Sequence, residues 1–199
     1  MNRELWIAEI AGQFPCGDDL EYDAEFLALG QAAQGRPEQQ YGETIIPAEE
    51  PDWPEVERLA EALLHRTKDV RVCILLARAC TNNYGLVGLA AGLQTIHTLL
   101  EQYWDAVHPR LVIDGDTDPF IRINAIAALA DRTGLLQDAR QAVLIKSSVG
   151  PILVKDAEAA LNSTQSSESG FSREQLIAMC LDAKTAGQQG LIAIAEAEH

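Results

Sequence analysis

Aromatic residues make up only 6 % of this 199-residue sequence, and its basic residues number half its acidic ones, 15 against 30. It has no C-x-x-C pair, no apolar run of about 20 residues and no apolar leader at its start. These lacks exclude several classes. A net charge of −15 disfavours nucleic acid and anionic membrane as partners, because each phosphate contact needs a cation. The opening MNRELWIAEI is broken by Glu4 and Glu9, so it is not a signal peptide. The most apolar stretch, Gly85 to Leu100, contains Gln94, Thr95 and His97, so no direct membrane insertion is expected. Cytoplasmic location follows by default. Cys73 and Cys80 sit seven apart on one predicted helix, about 10 Å along its axis and too far for a disulfide. With Cys16 and Cys180 they read as small buried hydrophobes.

Signatures of chemistry are also lacking. There is no G-x-S-x-G, no G-x-x-x-x-G-K and no G-x-G-x-x-G. Gly85, Gly88 and Gly92 lie in an apolar helical run without lysine, which indicates packing rather than phosphate binding. The run from Asp114 to Asp118 starts like a calcium loop. It fails at position 6, which is Pro119, and at position 12, which is Ala125. His65, His97, His108 and His199 form no metal-ligand spacing. Asp18, Asp19, Glu21, Asp23 and Glu25 cluster without apolar neighbours to raise a pKa, so they read as a solvated or partner-facing surface. No catalytic, metal-binding or cofactor-binding residue is assigned, and no cofactor is expected. A pocket gathering carboxylates beside His97 or His108 would reopen an enzymatic reading.

What is present favours helix. The chain is 47 % hydrophobic, rich in Ala and Leu. Two apolar runs, Val70 to Cys80 and Leu86 to Leu100, meet at the polar break Thr81–Gly85. A soluble helix apolar nearly all round belongs inside a fold. Gly88 and Gly92, four apart, lie on one face, where a neighbour's backbone can come close. The expected fold is all-α, a multi-helix bundle around a buried helical hairpin at about 69–104, with at most a short β-hairpin near 142–154. Around it stand helices at about 3–12 and 24–34, a long loop 35–52 and a helix capped by Asp52. A helix after Asp118 is expected to bury Ile123, Ile126, Ala127 and Ala130. Residues 1–161 read as one domain and 162–171 as a polar linker. Residues 172–199 read as a C-terminal helix that packs on the domain or on another copy. Acid is concentrated early: residues 1–69 hold 16 acidic and 5 basic groups. That asymmetry suits a basic protein partner, although solubility alone also accounts for it.

Several segments in order resemble a known family. They are Gly17-Asp18-Asp19-Leu20-Glu21-Tyr22-Asp23, Trp53-Pro54-Glu55-Val56, Lys68-Asp69-Val70-Arg71-Val72 and Gly85-Leu86-Val87-Gly88-Leu89. Tyr103-Trp104-Asp105, His108-Pro109 and Phe120-Ile121-Arg122-Ile123-Asn124-Ala125 follow. Together they resemble the ImpA-type N-terminal domain of the TssA family of the bacterial type VI secretion system over about residues 15–135. The resemblance implies a non-enzymatic assembly component in the bacterial cytoplasm. Such a component links baseplate or membrane complex with sheath and tube, and its partners are other secretion components or further copies of itself. A generic helical interaction scaffold outside secretion is the alternative. No catalytic residue is carried over. Asp18, Asp19, Glu21 and Asp23, with the loop 35–52, are the candidate partner surface. Trp104, Asp105, His108, Pro109 and Arg122 read as structural, with Trp104 plugging the end of the hairpin and Asp105 placed to pair with Arg122.

Overall fold

The computed structural model describes residues 2–36, 39–42, 44–113, 115–147, 150–162 and 172–185. Its centre is α4 (Val70–Tyr84) packed antiparallel on α5 (Leu86–Gln102), the expected hairpin. The polar break is tighter than expected. Thr81 to Tyr84 stay helical, and Gly85 alone turns the chain, at φ +66°. That value lies in the left-handed region, where glycine carries no side-chain clash. A Cβ on Gly88 would lie 1.9 Å from the Cys80 carbonyl oxygen, and one on Gly92 would lie 2.5 Å from the Ala77 Cβ. The two glycines thus bring α5 against the backbone of α4. Val72, Cys73, Leu76, Ala77, Ala79 and Cys80 are buried all round α4.

The other helices cover this pair. α3 (Trp53–Leu64) lays Val56, Leu59, Ala60, Leu63 and Leu64 on α4. As expected, the Asp52 side chain accepts the Glu55 N–H and caps it. α1 (Arg3–Ile7) and α2 (Ala24–Ala32) add Trp6 and Leu29 to the core. α1 is shorter than expected, because the chain beyond it folds back and the Ile10 N–H donates to the Pro15 carbonyl. After the hairpin come α6 (Phe120–Ala127), a 3-10 turn (Ala128–Ala130) and α7 (Leu135–Gln141).

Three two-stranded antiparallel ribbons accompany the helices. They are β1 (Gln39–Tyr41) with β2 (Thr44–Ile46), β3 (Val112–Ile113) with β4 (Asp116–Thr117), and β5 (Val143–Ser147) with β6 (Gly150–Leu153). The third is the hairpin expected near 142–154, with Ile145 opposite Ile152. The first two exceed that expectation. Each turns through a positive-φ glycine, Gly42 or Gly115. α8 (Val154–Asn162) and α9 (Arg173–Thr185) follow. Leu176 of α9 is buried with Ile145, Ile152, Ala157 and Ala160 in a second small core. The expected linker lies outside the described residues from 163 to 171, as does everything after 185. Among the described residues, no helix is long and apolar enough to cross a membrane.

At α6 and the turn after it the sequence expectation holds only for Ile126, which is partly buried against the core, while Ala127 and Ala130 are exposed. Ile123 is 54 % exposed, and the residue α6 buries is Arg122. The helix is turned so that its arginine faces the end of the hairpin.

The close approach of the two helices is directly testable. Gly88→Ala should destabilise the chain by about 3 kcal/mol, the upper end of overpacking costs, because the obstacle is main chain. Gly30→Ala, in α2 with nothing within 4 Å of the added methyl, should leave stability unchanged or raise it by about 0.5–1 kcal/mol. Urea denaturation of both variants measures the difference.

Candidate functional site

Three distant segments meet at the open end of the hairpin. Residues 16–19 arrive from the N-terminal loop, 67–71 from the α3–α4 junction and 104–109 from the end of α5. The Lys68 N–H donates to the Cys16 carbonyl, the His108 N–H to the Lys68 carbonyl and the Val70 N–H to the His108 carbonyl. Gly17 lies antiparallel to Thr67, and Asp69 lies parallel to His108. Gly17 must be glycine here: its φ is +67°, and a Cβ would meet the Arg66 carbonyl oxygen at 2.1 Å. The Thr67 hydroxyl donates to the Asp18 carbonyl.

Side chains lock this junction. Asp69, fully buried, caps α4 by accepting the Arg71 N–H at 2.7 Å, and it takes the Arg71 guanidinium at 2.7 Å. Lys68, also buried, donates from Nζ to the Leu64 carbonyl at 2.5 Å and to the Leu5 carbonyl at 3.4 Å. Burial pushes this ammonium down to about 8. Arg122, 1 % exposed, donates to three carbonyls near the end of α5: Trp104, Val107 at 2.6 Å and Pro109 at 2.9 Å. All three belong to the chain just beyond Gln102, where no helical N–H serves them. Burial holds this guanidinium below its ordinary value, and the nearby Asp105 opposes that shift. The expected Asp105–Arg122 pair is thus replaced by arginine on main chain, because the backbone carbonyls take its fork. Trp104 does not plug the hairpin. It is half-exposed, and the Arg122 guanidinium lies over its ring at 5.1 Å. His108 and Pro109 are buried at the junction, and the bond between them is cis.

The acidic segment runs along the outside of this junction. Two arginines partly neutralise it. Arg66 pairs with Asp23 at 2.5 Å and with Glu25 at 2.6 Å, and its hydrogen bond holds the Asp23 carboxyl below the ordinary carboxylate range. Arg71 pairs with Glu21 at 3.0 Å and reaches Asp19 at 3.4 Å. Sequence reasoning missed both arginines, since each lies more than 40 residues along the chain from the acids it meets. Tyr22, in the middle of the acids, is 89 % exposed.

A cavity of about 390 Å³ opens beside this segment, lined by Phe14, Asp18, Asp19, Glu21, His108, Pro109, Arg110, Val112 and Ile121. It is the pocket of carboxylates beside a histidine that would reopen an enzymatic reading. It has no Ser, Thr, Cys or Lys in its lining, and Asp19 Oδ1 is taken by the Glu21 N–H and Arg71. That leaves one histidine–carboxylate approach at 3.8 Å. The side chains of the lining that could act as nucleophile or base are the carboxylates and His108, and the histidine–carboxylate approach is too long for a hydrogen bond. His97 is far more exposed and approaches only Glu101, at 3.9 Å. Among the described residues, no group of three or more His, Cys, Asp or Glu residues is arranged to hold a metal ion.

The fold and this junction define a helical module whose most elaborate feature is structural, a backbone node with an acidic, aromatic rim. Residues 7–131 match the family described as ImpA, N-terminal, type VI secretion system. The chain is 43 % identical over 184 residues to the type VI secretion system component TssA1 of Pseudomonas aeruginosa. The aligned region covers 92 % of the chain and 53 % of that protein, so the chain spans about half of this relative's length. A solved structure is also similar, the N-terminal domain including the conserved ImpA_N region of the TssA component from Burkholderia cenocepacia. Its TM-score is 0.70 at 28 % identity, over 96 % of this chain and 75 % of that one. The chain belongs to the ImpA N-terminal family of type VI secretion TssA components.

Two outcomes follow from the junction. Arg122→Lys should cost about 2–4 kcal/mol, because one ammonium cannot reproduce a fork over three carbonyls, and thermal unfolding measures the loss. Stability should also fall above pH 9. Burial raises the thiols of Cys16, to about 11, Cys80, to about 12, and Cys73. The unfolded chain therefore loses these protons near 9 while the native chain keeps them, at about 1.4 kcal/mol per pH unit for each thiol. Lys68 acts in the opposite direction from about pH 8 to 10.5 and offsets one thiol. Under reducing conditions, urea midpoints between pH 8.5 and 10.5 should fall less steeply in Cys80→Ala than in the parent.

Proposed function

We propose that this chain is a non-enzymatic assembly module of a type VI secretion system, acting in the bacterial cytoplasm. It helps link baseplate or membrane complex with sheath and tube by docking on other secretion components. The observation that carries this reading is the membership of residues 7–131 in a secretion family, joined to an acidic rim on a rigid junction. Asp18, Asp19, Glu21 and Asp23, with exposed Tyr22 among them, form the partner surface. An exposed aromatic ringed by charge suits a protein interface, where tyrosine anchors and charge guides the encounter. The β1–β2 ribbon is a second contact region: Ile45 and Ile46 are 59 % and 45 % exposed, and Arg36 pairs with Glu49 at its base. A cavity whose histidine and carboxylate stand too far apart to hydrogen-bond supports docking over catalysis.

Sheath and baseplate proteins from the same secretion system should be retained by the immobilised chain. Reversing Asp18, Asp19 and Glu21 to Lys should reduce that retention at least about tenfold, the loss of roughly 1.4 kcal/mol. Reversing Asp182 on α9 should not. Full retention by the triple variant, with its helical content intact, would contradict this choice of surface.

A further inference from the structure

The charge of this chain reverses at one place. It holds 30 acidic residues against 15 basic, yet between Arg132 and Lys155 it carries Arg132, Arg140, Lys146 and Lys155 against a single acid, Asp138. The fold gathers three of these cations. Arg132 from the turn before α7, Arg140 from α7 and Lys155 from α8 line a cavity of about 280 Å³, and the rest of its lining is Gln137 and Gln141. All five side chains are exposed, so the cavity is open to a partner. The acids nearby are engaged elsewhere. Asp138 meets Arg78 at 2.6 Å, Asp131 accepts the Thr133 N–H and hydroxyl, and Asp156 accepts the Leu153 N–H. Glu158 meets Arg140 at Nε, at 2.8 Å. Among the described residues Arg132 and Lys155 form no ion pair. Two positive charges thus border the cavity without a counter-charge.

This cavity continues into a longer groove. Gln141 also lines a second cavity, of about 590 Å³, beside the Gly85 turn of the hairpin. The wall of that second cavity includes Tyr84 and Val87, which are 47 % and 51 % exposed. Cations at one end and an apolar step at the other fit a length of chain better than a single ion. Arginine forks take carboxylates two hydrogen bonds at a time, and clusters of arginine recognise acidic motifs. The net charge of −15 opposes the approach of a long polyanion such as nucleic acid. A short acidic segment meets only the local cations.

We infer that this groove receives an extended acidic segment of a partner protein, its carboxylates on Arg132, Arg140 and Lys155 and an apolar residue against Val87. The protein nature of the partner rests on the docking reading above. The groove lies apart from the acidic rim and its test needs no secretion protein, so either can fail alone. The uniformly ¹⁵N-labelled chain is titrated at constant ionic strength with the blocked peptide acetyl-EEEEL-amide, with acetyl-QQQQL-amide and with inorganic phosphate. Backbone amides and the arginine Nε–H signals are followed by NMR. The glutamate peptide should give saturable shifts at Arg132, Arg140, Gln141 and Val87, with a Kd on the order of millimolar for so short a ligand. Arg132→Gln combined with Arg140→Gln should weaken binding about tenfold, a loss of roughly 1.4 kcal/mol. Arg36→Gln combined with Arg58→Gln changes the net charge equally, away from the groove, and should leave binding within about twofold, since salt screens distant charges. Val87→Ser should weaken it by a smaller factor than the double arginine variant. Absence of saturable shifts up to about 20 mM would overturn the inference. So would equal binding of the glutamine peptide, or unchanged affinity in a folded Arg132→Gln/Arg140→Gln variant. Phosphate binding as tightly as the glutamate peptide would mark a site for a compact anion and would also overturn it.

Discussion

A buried arginine donating to three main-chain carbonyls holds the open end of the central hairpin. A segment of chain that leaves a helix and stays inside a protein carries carbonyls that must find donors. Here Arg122 supplies them for Trp104, Val107 and Pro109 from another helix. With that end fixed, the His108 main chain pairs with Lys68 and Val70, and Lys68 in turn with Cys16. The N-terminal loop is thereby tied to the core, and the acidic segment that follows it is set on a rigid base.

The opposite end of the hairpin is fixed by a different device. Gly85 turns α4 into α5 in one residue, and Gly88 and Gly92 let the helices touch along their backbones. Together the two ends make α4–α5 a strut against which the remaining helices pack. Rigidity at the centre and charge at the rim suit the proposed docking role, since an ordered surface loses little conformational entropy on binding. The arginine pairs with Arg66 and Arg71 serve the same purpose, orienting the carboxylates from one side while leaving the other to solvent.

Much of the hairpin was legible in the sequence, because burial on every face removes polar residues from a run, and glycines four apart imply a close neighbour. The Asp52 cap was legible because capping is local. What escaped has a common cause in distance along the chain. α6 was read with Ile123 inward, since periodicity assigns apolar residues to the core. The carbonyls that draw Arg122 inward instead sit 13 to 18 residues upstream and leave no mark in that pattern. The acids at 18–25 looked unaccompanied for the same reason, their arginines lying on the α3–α4 junction. The ribbons β1–β2 and β3–β4 are two or three residues long per strand, too short for alternation to register.

The account stands on the junction being as stable as the helices it joins. Native-state amide hydrogen exchange at Lys68, Val70 and His108 measures this residue by residue. Exchange only through global unfolding, at the same free energy as the α4 amides of Leu76 and Ala77, is the predicted result. Exchange at the faster rate of local loop opening, with α4 still protected, would show that the three segments merely lie side by side and would contradict the account.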